Sequence, residues 1–431
     1  MNLENIRNNY TYGKLKNGMK YILNNNSIFA SSSIYLLVRV GSINEDDKTS
    51  GLSHLLEHML FKGSEKYPDF MTLNKKIDDL NGHINAETSK NNTGYYIKFP
   101  SKNMLKALDI INQMVFYSLI PQEELDKERK IVIEEYYRSI DNSGDYLDDL
   151  LTKNNFNNHR LSRLIIGTKK NINKFNSKEL IKFYKKFYIP SNCVLSISGK
   201  IPSNIEKILN EIFVYKKKQN LIKHTFNDSI IRNSRKLICR TRKQNQISFG
   251  MCFPIFNVYD KRKFFVDILI DILGGNMTSR LWIALREKNP LVYNFNVFYE
   301  IYEEGGLINI NFGVDKKNLK KAFQSVINEI KKLKEGQLTE KEVSVTINKT
   351  KIESSIGAED NLEIAKYYGQ QLILEEEIIN YKKMDKIYES ANKDKIVKLC
   401  NDVFIFDNLT IAQIGNLNNN ELKDLVNKIN F

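Results

Sequence analysis

The pattern of elements in this chain runs twice, and that constrains its fold more than any single motif. In the first half, Lys20-Tyr21-Ile22-Leu23 and Ser33 to Val40 are β-branched and aromatic runs that predict strands. A helix follows, opened by the capping residues Thr49-Ser50-Gly51. A second helix from Met71 to Leu80 is closed by Asn81-Gly82. His83 to Glu87 and Thr93 to Phe99 predict a hairpin. Helices then run to about Tyr117, and from Pro121 to about Ile140. Cys193 to Ser198, ended by Gly199, is a short closing strand. The second half repeats this order. It has a strand at Gln246–Phe253, helices from Asp260 to Leu273 and through Arg286, strands Val292–Tyr299 and Gly306–Phe312, helices from Lys317, and a closing strand Leu409–Gly415. Two halves of about 200 residues in one order imply an internal duplication. The expected fold class is α+β, with two similar α/β domains, each a mostly antiparallel sheet flanked by helices. The expected boundaries are residues 1–215 and 236–431. The polar, aperiodic stretch 216–235 is read as a linker.

Composition removes several classes. No run of 18 apolar residues exists, so no membrane span is expected. The start lacks the apolar core of a secretory signal and the arginine-rich pattern of a transit peptide, which points to the cytoplasm, an organelle matrix being the other setting. Four scattered cysteines, with no C-x-x-C, suit a reducing compartment. The net charge is +14, but the lysines are spread along the chain and no nucleic-acid motif accompanies them, so nucleic acid is not an expected partner.

One pentapeptide carries chemistry. His54-Leu55-Leu56-Glu57-His58 puts two imidazoles and a carboxylate at i, i+4 and i+3. On a helix these share one face. Only five histidines occur in 431 residues, and the flanking Leu52, Met59, Leu60 and Phe61 are apolar enough to bury the helix. Buried His and Glu need partners, and a metal ion is the simplest. Two neutral imidazoles with one more ligand form a zinc site with an open position, and the carboxylate can then serve as a general base. This inverted order, H-x-x-E-H, is a metallopeptidase motif.

The third ligand is sought on the long helix. His159 lies in an Asn-rich loop, His224 in the linker and His83 in a turn. Glu128 and Glu135 are seven apart, so they share a face, next to Ile131 and Val132. Glu134 is rotated away by about a hundred degrees. Glu135 is therefore the expected ligand and Glu128 its support. A solvated acidic face is the alternative reading.

Taken together, these residues resemble the pitrilysin-type (M16) zinc metallopeptidases, and by length the branch of mitochondrial processing peptidase and its bacterial relatives. The resemblance rests on the pentapeptide, Asn85-Ala86-Glu87-Thr88-Ser89 with Thr93-Gly94-Tyr95-Tyr96, Glu128 to Glu135, and Pro190-Ser191-Asn192 leading to Gly199. Ser279-Arg280-Leu281, Arg286-Glu287-Lys288 and Leu291-Val292-Tyr293 add to it in the second half, so it covers nearly the whole chain. It implies one Zn2+ per chain on His54, His58 and Glu135, with Glu57 as base and Glu128 behind the ligands. It implies a peptide substrate paired along Asn85-Ala86 as an added strand. It also implies that Arg286 and Tyr293 support the substrate carbonyl and oxyanion, from this chain or from a partner in a homodimer or heterodimer. Without the resemblance those two would read as an ordinary helix-end Arg and strand Tyr. The implied activity is a zinc endopeptidase acting on short or unfolded peptides. Presequence processing and a non-catalytic partner subunit are the two alternatives. The chain departs from the family pattern at His83, where a glycine is usual, and at Asn91, where an acid is usual.

Overall fold

The apolar runs of the first half assemble into one sheet. The computed structural model describes residues 7–215, 222, 234–374 and 377–431. β1 (Thr11–Lys14), β2 (Lys20–Asn25), β3 (Ser31–Val38), β4 (His83–Thr88), β5 (Thr93–Pro100) and β6 (Cys193–Gly199) lie in the order β1-β2-β6-β3-β5-β4. Only β2 and β6 run parallel; the other neighbours are antiparallel. The second half gives β7 (Lys236–Thr241), β8 (Ile247–Ile255), β9 (Val292–Tyr302), β10 (Gly305–Val314) and β11 (Thr410–Gly415), in the order β7-β11-β8-β10-β9. β7 and β11 are its parallel pair. Strand for strand this repeats the first sheet without β1, as the duplicated sequence pattern requires.

The residues group into two compact units, and their boundary is not one cut. The first unit draws on 1–136, 163–225 and 354–384; the second on 137–162, 226–353 and 385–431. This differs from contiguous domains at 1–215 and 236–431. The expected linker, 216–235, lies outside the described residues except for Ile222, Ser234 and Arg235, and His224 lies outside them as well.

The exchanged segments cover a sheet face in each unit. Along β3, Ile34, Leu36 and Val38 join one core with the helices of the first half. Tyr35 and Leu37 point to the opposite face and form a second cluster with Ile22, Val194 and a helix at Asn361–Ile373. β3 is thus buried on both sides, which explains its unbroken apolar run. Gly369 lets this cover helix approach closely, since a Cβ there would meet Leu37 Cδ1 at 2.7 Å. In the second unit, the helix Ser143–Phe156 lies along β8 and β11. Asp148 of that helix accepts a hydrogen bond from Asn311 of β10.

Among the described residues, no helix is long and apolar enough to cross a membrane.

Candidate metal and peptide site

The motif helix, Leu52–Met59, buries Leu52, Ser53, Leu55, Leu56 and Met59 in the first core. That leaves His54, Glu57 and His58 together on the half-buried side, as the i, i+3, i+4 spacing dictates. Its N-terminus lies at the expected Thr49-Ser50-Gly51 segment, but its cap is not made by those side chains. Gly51 stands at the N-cap with φ of +98°, and no side chain of Thr49 or Ser50 caps the helix. A Cβ on residue 51 would also meet Ile166 O at 2.8 Å, so glycine is required there. The cap comes from Glu45, whose carboxylate accepts from Gly51 N–H at 2.8 Å and from Ser53 N–H at 2.7 Å. Burial raises the Glu45 pKa to about 7 against these hydrogen bonds. A carboxylate there also faces the positive end of the helix dipole. Glu45 was not singled out from the sequence, because a cap six residues upstream has no local signature.

The long helix, Gln122–Asp141, brings its acids to this face. Glu135 Oε2 lies 3.8 Å from His54 Nε2 and 3.6 Å from His58 Nε2. These are too long for hydrogen bonds. They are close to the roughly 3.4 Å that separates two ligand atoms on a tetrahedral zinc ion. His54, His58 and Glu135 are the group among the described residues whose donor atoms could hold a metal ion, all within 4.8 Å of one another. Glu134 is exposed on the other side.

The donor chemistry fits such an ion. Burial, with His58 nearby, lowers the His54 pKa to about 3, so its ring is neutral and keeps a lone pair. Its buried Nδ1 has no hydrogen-bond partner. The two rings stand edge to face, with centroids 4.8 Å apart. His58 Nδ1 meets Glu128 Oε2 at 3.1 Å, which fixes the ring and turns Nε2 toward Glu135. Burial lowers the His58 pKa, but the Glu128 hydrogen bond and three nearby carboxylates outweigh it, so the net shift is upward. Burial would raise Glu128, but hydrogen bonds from His58 and Lys62 more than offset this and lower its pKa. Lys62 Nζ sits 2.6 Å from Glu128 Oε1. Burial raises the Glu57 pKa, partly countered by a hydrogen bond from Thr88 Oγ1 to Glu57 Oε2.

β4 supplies the neighbouring backbone. Among the described residues it ends the sheet and pairs with β5 alone, which leaves its other edge without a strand partner. Asn85 lies opposite Tyr96 and Ala86 opposite Tyr95. His83 begins this strand, opposite Lys98, as the hairpin reading of His83 to Glu87 expects, and does not sit in a turn.

The remaining expected residues fall in the second unit. Arg286 lies in a π-helical turn, Ile283–Glu287, with its guanidinium carbon 4.7 Å from the centre of the Trp282 ring. Tyr293, near the start of β9, is 73% exposed. His159 lies in the expected Asn-rich loop, just before the 3-10 turn Arg160–Ser162. It follows the helix Ser143–Phe156, and its Nε2 is 3.2 Å from the buried carboxylate of Glu304.

Two family models match consecutive stretches of the chain. The family described as insulinase, peptidase family M16, matches residues 20–169. The family described as the peptidase M16 inactive domain matches residues 174–350. The chain is similar to YmxG of Bacillus subtilis (strain 168), described as an uncharacterized zinc protease, with 30% identity over 76% of this chain and 79% of that protein. It is also 30% identical to the mitochondrial-processing peptidase subunit beta of Mus musculus, over 44% of this chain and 38% of that one. In fold it is similar to a protease from Helicobacter pylori, with a TM-score of 0.86, 20% identity, and coverage of 94% of this chain and 99% of that one.

Proposed function

The chain belongs to peptidase family M16, and from that premise we propose that it is a zinc-dependent endopeptidase. The observation that carries this reading is the convergence of His54 Nε2, His58 Nε2 and a Glu135 oxygen, with the Glu57 carboxylate on the same helix face. These three residues would hold the Zn2+. The ion, when bound, supplies Lewis acidity that polarises a peptide carbonyl and lowers the pKa of water.

The chain's own residues do the rest. The open edge of β4, at Asn85 and Ala86, holds an extended peptide by its backbone. Glu57 takes the proton from the attacking water and returns it to the leaving amine nitrogen. Burial favours this, since it moves the Glu57 carboxyl upward from the ordinary range. Glu128 holds the His58 ring in one tautomer. Arg286 and Tyr293 donate hydrogen bonds to the developing oxyanion, from this chain or from a partner in a dimer.

Glu57→Gln tests the assignment. The purified variant should retain zinc by elemental analysis and lose cleavage of a quenched peptide by about a hundred- to ten-thousandfold. Wild-type activity in that variant would sink it. Presequence peptides are the alternative substrate class, raised by the likeness to a mitochondrial-processing peptidase subunit beta. N-terminal profiling of the products from a mixed peptide library separates that class from short or unfolded peptides in general.

A further inference from the structure

We infer that Thr88 is a positioning residue, holding the Glu57 carboxylate in register with the strand on which a peptide lies; this rests on the reading of Glu57 as the base. Along β4, Ile84, Ala86 and Thr88 are half-buried, while His83, Asn85 and Glu87 are exposed. Thr88 therefore points to the same face as the motif helix. Its Oγ1 donates to Glu57 Oε2, across 31 residues of sequence. A hydroxyl has one proton to give, and here it goes to the base. Oε1 is left as the oxygen that handles the substrate proton.

The placement of that hydroxyl is stiff. Threonine is β-branched, so its χ1 is restricted and the oxygen follows the backbone. The backbone is fixed in turn. Thr88 pairs with Thr93, and the turn between them closes with Ser89 N–H to Asn92 O at 2.8 Å and Asn92 N–H to Ser89 Oγ at 3.1 Å. The preceding loop grips the same turn, through Ser42 N–H to Ser89 O at 3.3 Å and Ile43 N–H to Lys90 O at 3.0 Å. On the opposite face, Glu87 accepts from Tyr35 Oη at 2.7 Å and pairs with Lys366 at 2.9 Å. Gln370 donates to Tyr35 Oη at 3.1 Å. The end of β4 thus has no slack on either face.

Glutamate alone has several rotatable bonds, and the helix cannot fix its carboxylate. Thr88 supplies that constraint from the strand whose free edge would carry the substrate. A peptide hydrogen-bonded to β4 and a base hydrogen-bonded to β4 share one backbone reference. That is how a reacting group is held in attack geometry without touching the substrate side chains.

Thr88→Val keeps the side-chain shape and removes the donor; Thr88→Ser keeps the donor. The full chain is assayed with a quenched peptide for kcat and KM, with zinc content and thermal unfolding measured on the same preparations. Thr88→Val should lower kcat about ten- to hundredfold, the effect of one charge-assisted hydrogen bond. KM and zinc content should stay unchanged, and Thr88→Ser should restore kcat. If Thr88→Val does not fold, Thr88→Ala against Thr88→Ser makes the same comparison. Wild-type kcat in Thr88→Val, with Glu57→Gln inactive, overturns this inference and leaves the base assignment standing. Wild-type activity in Glu57→Gln overturns the base assignment itself. A raised KM at constant kcat makes Thr88 a substrate contact instead. An equal loss in the Val and Ser variants makes it a packing residue. Either result overturns the inference.

Discussion

The same structural position is filled in two opposite ways in the two units. In the first, the helix after β3 carries His54, Glu57 and His58, and the long helix later in the unit brings Glu128 and Glu135 to it. In the second, the helix after β8 is Val266–Gly274, and it carries Asp267 and Asp271 at i, i+4. Its later partner, Glu340–Gly357, brings Lys349 and Thr350 instead of acids. Lys349 Nζ lies 3.2 Å from Asp271, and Thr350 donates to it at 3.3 Å. Tyr299 and Tyr388 both donate hydroxyls to Asp267. Every charge in the second cluster has a protein partner. In the first cluster, His54 Nδ1 has no hydrogen-bond partner, and both histidine Nε2 atoms face a Glu135 oxygen beyond hydrogen-bond distance. One arrangement is complete without an ion and the other is chemically suited to one. A duplicated fold therefore does not imply a duplicated site: the framework survives exchange of its polar cluster as long as each cluster is satisfied.

The comparison can be broken at its strongest point by removing a ligand. His58→Ala should empty the first cluster of zinc and reduce peptide cleavage by about a thousandfold or more. Elemental analysis and a peptide assay on the same sample check this, and full zinc content in the variant would mean the donors are not those named.

A smaller effect contrasts the caps. Glu45, buried at the motif helix, has its pKa raised to about 7, whereas the cap Asp260 that opens the corresponding helical segment of the second unit is lowered, chiefly by its hydrogen bonds with Arg262. The sign follows from linkage. A folded pKa of about 7, above the ordinary 4.5, means the folded state binds the proton more tightly. Stability should then rise as pH falls from 7 toward 4.5, and charged Glu45 should cost stability above pH 7. Between pH 7 and 5 the wild-type protein should gain about 2 kcal/mol relative to Glu45→Gln. Parallel denaturant titrations of the two proteins check this, and parallel stability curves would refute it.

The smallest effect lies in the second cluster. Lys349→Met leaves Asp271 without its cation, in a partly solvated setting, so a loss of about 1 kcal/mol is expected. Zinc content should not change. A variant that loses zinc would end the distinction between a self-sufficient cluster and an ion-binding one.

Much of this was legible in the sequence, for a physical reason. Helical and strand periodicities register each element's own buried face, so both hairpins, the motif helix and the closing strands at 193–199 and 410–415 stand near their expected places. The seven-residue spacing of Glu128 and Glu135 placed both acids on the observed face. Partnerships across the chain were not legible. Neither β1 nor β7 has a fully buried residue to mark a core face, and their partners β2 and β11 determine them as strands. Glu45 and Thr88 look like loop and strand residues until the helix they serve is in place. The helices Ser143–Phe156 and Asn361–Ile373 each cover the sheet of the unit opposite to the one a linear boundary would give them, and no periodicity records that.

That exchange bears on how the protein is made. A chain emerging from the ribosome has all six strands of its first sheet available once residue 199 is out. The face formed by Ile22, Tyr35, Leu37 and Val194 has no lid until the helix ending at Ile373 has been synthesised. At ordinary elongation rates that interval is roughly ten to thirty seconds. For that time a finished sheet presents an apolar surface to the cell, long enough for a chaperone to find it or for two nascent chains to meet.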